Sequence, residues 1–360
     1  MWRDLKPGGI LRSDMSRPSP KKAINLALQG GGSHGAFTWG VLDHLLADGR
    51  LRLEALSATS AGSLNAVALA DGLRCAGADG ARQALQDLWH AVAAAGRAPT
   101  SWQAPWLDAF MHGLQQAVPP EFSPLHQWTA ALTQLFSPYQ LNPLNLNPLR
   151  DIVQAQIDFE ALRRTPPLKL FLSATNVETG KIRVFSGEQI TPDAVLASAC
   201  LPTLFQAVEI DGEYFWDGGY MGNPAIFPLI YDSDSADVLI VHVNPVLRRG
   251  VPRSATEIVN RVNEISFNSS LMREMRAIAF VTSLIDRGKL APEDARLMRI
   301  HSIRCDELMA AQGVVSKLDT AWSYLCELRD AGRVQAQAWL EENFAQVGKR
   351  STVDIRAEFL

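Results

Sequence analysis

Three short stretches of the chain hold the residue types that covalent chemistry needs. They are Gly30-Gly31-Gly32-Ser33-His34-Gly35, Ala58-Thr59-Ser60-Ala61-Gly62 and Tyr214-Phe215-Trp216-Asp217-Gly218-Gly219. The first fits G-x-G-x-x-G. Glycine N–H groups at a helix start can hold a pyrophosphate, and the same array can hold the oxyanion of an acyl-transfer intermediate. A tight turn with no ligand is the plain structural alternative. The second stretch lies close to G-x-S-x-G, the sharp turn that lifts a serine hydroxyl above a sheet. Small neighbours let strand and helix approach there, and Gly62 and Ala61 qualify. The third places a carboxylate between aromatic residues and a glycine pair. Aromatic neighbours desolvate a carboxylate, raise its pKa and make it a better general base.

These stretches must be positioned by regular elements. Ala23 to Leu28 is an apolar run of buried-strand length, and Ala36 to Leu46 carries apolar residues at helical spacing. A strand near Leu53 to Ala58 and a helix from Ser63 to Leu69 repeat the pattern. Two strand–turn–helix units argue for a mostly parallel sheet with helices on both faces. A dinucleotide site wants an acidic residue at the end of its second strand. Glu54 falls too early there, which disfavours nucleotide binding. Further strands are expected at Leu168 to Leu172, Ile182 to Phe185 and Val238 to Val243. After Pro252 the chain turns helical, opening on a capping box at Ser254, with one short strand at Met298 to Ile303.

The expected organisation is a leader over residues 1–22, a catalytic domain over 23–250 and a mainly helical extension over 251–360 packed on it. An insertion over about 98–150 interrupts the catalytic domain. It holds Trp102, Trp106, Trp128 and Tyr139 among other aromatics, interleaved with prolines, so regular sheet is not expected. It is read either as a cap over the sheet or as a helical insert whose aromatics fill its own core.

Composition sets the outer limits. In 360 residues, 34 Lys+Arg against 38 Asp+Glu leave a net charge of −4, which argues against a nucleic-acid partner. No signal peptide or membrane span is read, and the four cysteines lack metal-ligand spacing; they are read as buried thiols. The expected location is cytoplasmic, peripheral at membranes. Ser60 needs a base. Asp217 is the stronger candidate, and the order Ser60, Asp217, His242 keeps an α/β-hydrolase triad as a second mechanism.

The set of motifs, with Ala197-Ser198-Ala199-Cys200-Leu201-Pro202 between them, resembles the patatin-like phospholipase family over about Ile24 to Pro245. The resemblance implies a three-layer α/β/α sandwich and a serine lipid acyl hydrolase. Its implied dyad is Ser60 as nucleophile and Asp217 as base. The implied oxyanion hole is Gly31 and Gly32, with Gly30 shaping the turn; Gly35, Gly62, Gly218 and Gly219 support the motifs. The implied substrate is a lipid or acyl ester, and no metal or organic cofactor is implied. Thioesterase, polyester depolymerase and acyltransferase activities would use the same residues, and an inactive lipid-binding scaffold is the rival from another class. Two positions depart from the family pattern: His34 stands where it has Arg or Lys, and Ala58 where it has Gly.

Overall fold

A computed structural model describes residues 20–97, 137–291, 295–313 and 315–360. Leader residues 1–19 and insertion residues 98–136, including Trp102, Trp106 and Trp128, lie outside the described residues.

The chain opens with β1 (Lys22–Leu28), α1 (Gly35–Asp48), β2 (Leu51–Ala58) and α2 (Ala61–Arg97). The expected helix from Ser63 to Leu69 is the start of this longer α2, which breaks at Ala76 and Gly77, where Gly77 takes φ 64°. After the gap come α3 (Pro138–Leu141), α4 (Pro148–Gln156), α5 (Phe159–Arg164), β3 (Lys169–Asn176), β4 (Ile182–Ser186) and α6 (Pro192–Ser198). Then follow β5 (Val208–Ile210), β6 (Glu213–Asp217), α7 (Phe227–Tyr231), β7 (Asp237–Val241) and α8 (Ala255–Asp286). The chain ends with β8 (Arg299–Ile303), α9 (Asp306–Ala311), α10 (Trp322–Asn343) and α11 (Ile355–Phe359).

Eight strands form one sheet in the order β5-β6-β3-β2-β1-β7-β8, with β4 also pairing β3. The pairs from β3 through β2, β1 and β7 to β8 are parallel, and the pairs of β4, β5 and β6 are antiparallel. Alternation along the strands sorts the core. Leu26 and Leu28 of β1 with Leu239 and Val241 of β7 join the apolar cluster that contains α1, α2 and α10 residues. Ala27, Val238 and Ile240 join the opposite cluster with α7, α8 and α11. Side chains of successive strand residues point to opposite faces, so the sheet lies between two helical layers. The sheet continues past the expected boundary at 250, because β8 pairs β7 from Asp237–Arg299 to Val241–Ile303.

The C-terminal part is seated on the core by α10 crossing α1 at two glycines. A Cβ at Gly332 would run into the Phe37 carbonyl, and one at Gly40 into the Arg329 carbonyl. Asp43 of α1 accepts from Arg82 at 2.9 Å and from Arg333 of α10 at 2.7 Å, pinning the same crossing. Only Cys200 of the four thiols is buried; Cys75 is exposed, because the α2 break turns it toward solvent.

Gly332→Leu should therefore destabilise the protein by about 2–3 kcal/mol, as overpacking of a closed helix crossing does. Val334, two residues along the same helix, is exposed, and Val334→Ala should change stability by no more than about 0.5 kcal/mol. Urea unfolding of the two variants checks the difference. Equal midpoints would mean that the crossing tolerates side chains.

Candidate active site

The parallel register that pairs Leu28 with Ala58 ends β1 and β2 at one level. The glycine turn after β1 and the Thr59-Ser60 turn after β2 must then share one space. A Cβ at Gly30 would lie 2.6 Å from the Ser60 Cβ and 2.8 Å from the Thr59 carbonyl. Only glycine fits there. Gly62 is required in the same way, since its Cβ would meet the Leu28 carbonyl oxygen at 2.5 Å. Gly32 adopts φ 59°, and its open side is closed by the Lys317 carbonyl.

Ser60 itself holds φ 55°. A non-glycine residue in this left-handed region costs roughly 1–3 kcal/mol and persists only when its surroundings over-determine it. Here the Ser60 N–H donates to Ser198 Oγ at 3.0 Å, and Ser198 Oγ shares a 2.8 Å hydrogen bond with Ser63. The Ser60 carbonyl accepts from the Ser63 N–H at 2.8 Å, starting α2. Thr59 Oγ1 donates to the Gly222 carbonyl at 2.6 Å. The strain thus sits on the serine, whereas Ala58 is an ordinary buried strand residue paired with Leu172. The Ala58 departure leaves the turn intact. The serine faces the start of α2, where the helix dipole favours negative charge.

Asp217 ends β6, which reaches the site by antiparallel pairing with β3. Its carboxylate is 0% exposed. Oδ1 accepts from the Gly219 N–H at 2.7 Å. Oδ2 completes no hydrogen bond of normal geometry among the described residues, although the Ser60 hydroxyl comes near enough to favour its ionised form. Such loose alignment is usual for a catalytic pair without substrate. Burial pushes the Asp217 pKa up to about 6, against the opposing pull of Gly219, Ser60 and the Lys317 charge. Gly218 is forced by the Ser173 carbonyl beside it, and Gly219 by the Phe267 ring.

The glycine amides are not equivalent. The Gly30 N–H donates to Asn223 Oδ1 at 2.7 Å and is spoken for. The Gly31 and Gly32 N–H groups donate to no partner among the described residues. The Gly30 carbonyl accepts from Asn244 Nδ2 at 2.8 Å, and Gln29 Oε1 accepts from the Val243 and Asn244 N–H groups at 3.0 Å each. These polar side chains brace the loop from β7. Asn223, Asn244 and Gln29 were not singled out from the sequence; the available signal was a buried amide at the end of an apolar strand, next to glycine or proline. Ser198 lay inside a block that was noted, without a role.

Two histidines are removed from the chemistry by their positions. His242 packs toward α11, its ring stacked on Phe359 at 6.0 Å, and burial takes its pKa down to about 3. Neither ring nitrogen has a partner among the described residues, so Ser60, Asp217 and His242 form no hydrogen-bonded relay. His34 is buried with Nε2 in a 2.8 Å hydrogen bond to Ser316 Oγ. Burial first, then the Lys317 charge, lower its pKa to about 3; a neutral ring replaces the cation of the family pattern. Cys200, whose carbonyl accepts from the Asp217 N–H at 2.8 Å, has its thiol pushed up to about 12 by burial and by the Asp217 charge.

Among solved structures, VipD from Legionella pneumophila is 16% identical with a TM-score of 0.42, covering 90% of this chain and 67% of that one. The type III effector protein ExoU is 16% identical with a TM-score of 0.38; 90% of this chain is covered, and it spans 54% of ExoU. A complex of full-length SpcU with full-length ExoU from Pseudomonas aeruginosa matches at 14% identity and a TM-score of 0.28, over 89% of this chain and 54% of that one. No curated protein matches the sequence. The family model described as patatin-like phospholipase matches residues 26–230. That span takes in the glycine turn, Ser60, Ser198, Asp217 and Asn223, and the chain belongs to the patatin-like phospholipase family.

Proposed function

We propose that this protein hydrolyses fatty-acyl esters through an acyl-enzyme on Ser60, with Asp217 as the base and no catalytic histidine. The observation that carries the reading is Asp217: a fully buried carboxylate with a pKa of about 6 and one oxygen left without a formed hydrogen bond, beside a serine in a left-handed turn. A base is most effective when its pKa lies near the working pH.

In the proposed reaction Asp217 takes the Ser60 proton as Oγ attacks the ester carbonyl carbon. The carbonyl oxygen becomes an oxyanion and accepts from the free Gly31 and Gly32 N–H groups, while Gly30 spends its own on Asn223 and shapes the turn. Collapse of the intermediate breaks the ester C–O bond, and the proton on Asp217 passes to the departing alcohol. Water then attacks the acyl-serine and gives its proton to Asp217. The acid leaves, and Ser60 regains the proton. The substrate class under this reading is a lipid or acyl ester, met by a cytoplasmic protein in transient contact with membrane surfaces. No helix among the described residues is long and apolar enough to cross a membrane.

A fluorophosphonate probe should label the parent protein at Ser60 and fail on Ser60→Ala. Asp217→Asn should lower kcat on p-nitrophenyl esters by roughly a hundredfold to ten-thousandfold, the range typical of a lost general base. Near-normal turnover by a folded Asp217→Asn protein would remove the dyad.

The same residue has a stability signature. Its pKa rises from 3.8 to about 6 on folding, so the native state favours the protonated form. The stabilising contribution of that proton is complete below pH 3.8 and is lost as pH climbs through about 6. Over this window the charged form costs about 3 kcal/mol, at 1.36 kcal/mol per unit. Asp217→Asn should therefore be more stable than the parent at pH 8 and lose most of that advantage at pH 4. Thermal unfolding at the two pH values checks this; an advantage independent of pH would mean that the carboxylate is not strained by burial.

A further inference from the structure

A lysine from far outside the family-matched residues lies in the middle of this site. Lys317 belongs to a single 3-10 turn, Val315–Leu318, that sits on the glycine loop. Its carbonyl closes the open side of Gly32. Its side chain is half-buried, and Nζ donates to Asn244 Oδ1 at 2.8 Å and to Asn263 Oδ1 at 3.1 Å. It also lies 5.3 Å from the centroid of the Phe267 ring, the ring that packs on Gly219 beside the Asp217 carboxylate.

The connection to the oxyanion donors is short. Asn244 gives its oxygen to Lys317 and its Nδ2 to the Gly30 carbonyl at 2.8 Å. A trans peptide points its N–H opposite to its carbonyl. Whatever holds the Gly30 oxygen therefore aims the Gly31 N–H. A charged donor makes the stronger hydrogen bond, so the ammonium locks the Asn244 amide in the orientation that presents Nδ2 to Gly30.

We infer that Lys317 is a positioning residue for ester hydrolysis, holding the Gly31 N–H through Asn244 and supplying near Asp217 the cation that the glycine loop lacks. This rests on the hydrolase reading above. His34 cannot supply the charge, being buried and neutral. The charges facing Lys317 are consistent with the role. Burial lowers its own pKa to about 8, opposed by Glu264 and Asp217, and Glu264 is itself bridged by Arg248 at 2.6 Å and Arg261 at 3.1 Å. On the Asp217 side the titratable neighbours are Cys200 and Tyr220, both held in their neutral forms by burial and by the Asp217 charge. The Lys317 charge draws the Asp217 pKa down. Removing the charge must move the Asp217 pKa up.

The test compares parent, Lys317→Met and Lys317→Arg in the full chain. An infrared titration of the Asp217 carboxyl band, assigned by its loss in Asp217→Asn, needs no substrate. The midpoint should lie near 6 in the parent, higher in Lys317→Met and close to the parent in Lys317→Arg. The acid limb of kcat/KM on a p-nitrophenyl ester should follow the same order. At neutral pH, Lys317→Met should lose about tenfold to a hundredfold in kcat, the scale of a lost charged hydrogen bond, with KM little changed. If Lys317→Met does not fold, Lys317→Gln keeps a polar amide at the position and reads the same midpoint. An unchanged midpoint and acid limb in a folded neutral variant overturns the inference and leaves the hydrolase reading standing. A parent that neither hydrolyses esters nor labels at Ser60 overturns the hydrolase reading, and the positioning role with it.

Discussion

The site depends on one steric constraint: two chain reversals leave adjacent parallel strands at the same level. Leu28 pairs with Ala58, so the turn after β1 and the turn after β2 occupy one volume. That volume holds the Ser60 side chain and has no room for a second Cβ at Gly30 or Gly62. The glycines follow from this crowding. So does the left-handed backbone at Ser60, because a chain that leaves a strand and enters a helix within two residues must reverse sharply.

Keeping that arrangement costs stability twice, once for the backbone at Ser60 and once for burying the Asp217 carboxylate. Neither cost is offset by the groups involved. The offset comes from the surrounding hydrogen bonds of Ser198, Thr59, Gln29, Asn223 and Asn244. Each is buried, and an unmade buried hydrogen bond is expensive, so the neighbours resist relaxation of the strained pair. The apolar clusters on both faces then hold the strand ends in place.

Much of this was legible in the amino-acid order, for reasons that can be named. Gly30, Gly31, Gly32 and Gly62 are visible because close backbone approach excludes other residues. Ser60 and Asp217 are visible because each stands where an apolar strand ends in small residues. The two strand–turn–helix units already pointed to helical layers on both faces of the sheet; which of Leu26, Ala27 and Leu28 meets which layer could be read only from the fold, because all three are apolar. Other features gave no local signal. Lys317 looks like any surface lysine in its own stretch, and only the folding of a distant turn onto the glycine loop brings it to the site. The expected helix stops at Leu69, whereas α2 runs on and restarts after a break at Ala76 and Gly77, where Gly77 takes positive φ. Cys75 was taken as buried by residue type, and the same break exposes it.

The C-terminal residues take part in the site for topological reasons. β8 adds to the sheet beside β7, and β7 is the strand whose exit carries Val243 and Asn244 under the glycine loop. The chain leaving β8 then crosses above that exit before α10 returns to α1. The turn Val315–Leu318 passes over the mouth of the β1 turn on this route, and a 2.8 Å hydrogen bond between Ser316 and His34 marks the crossing. In this chain the loop carries a neutral histidine, and the segment passing over it carries the lysine, whose carbonyl also closes the open side of Gly32.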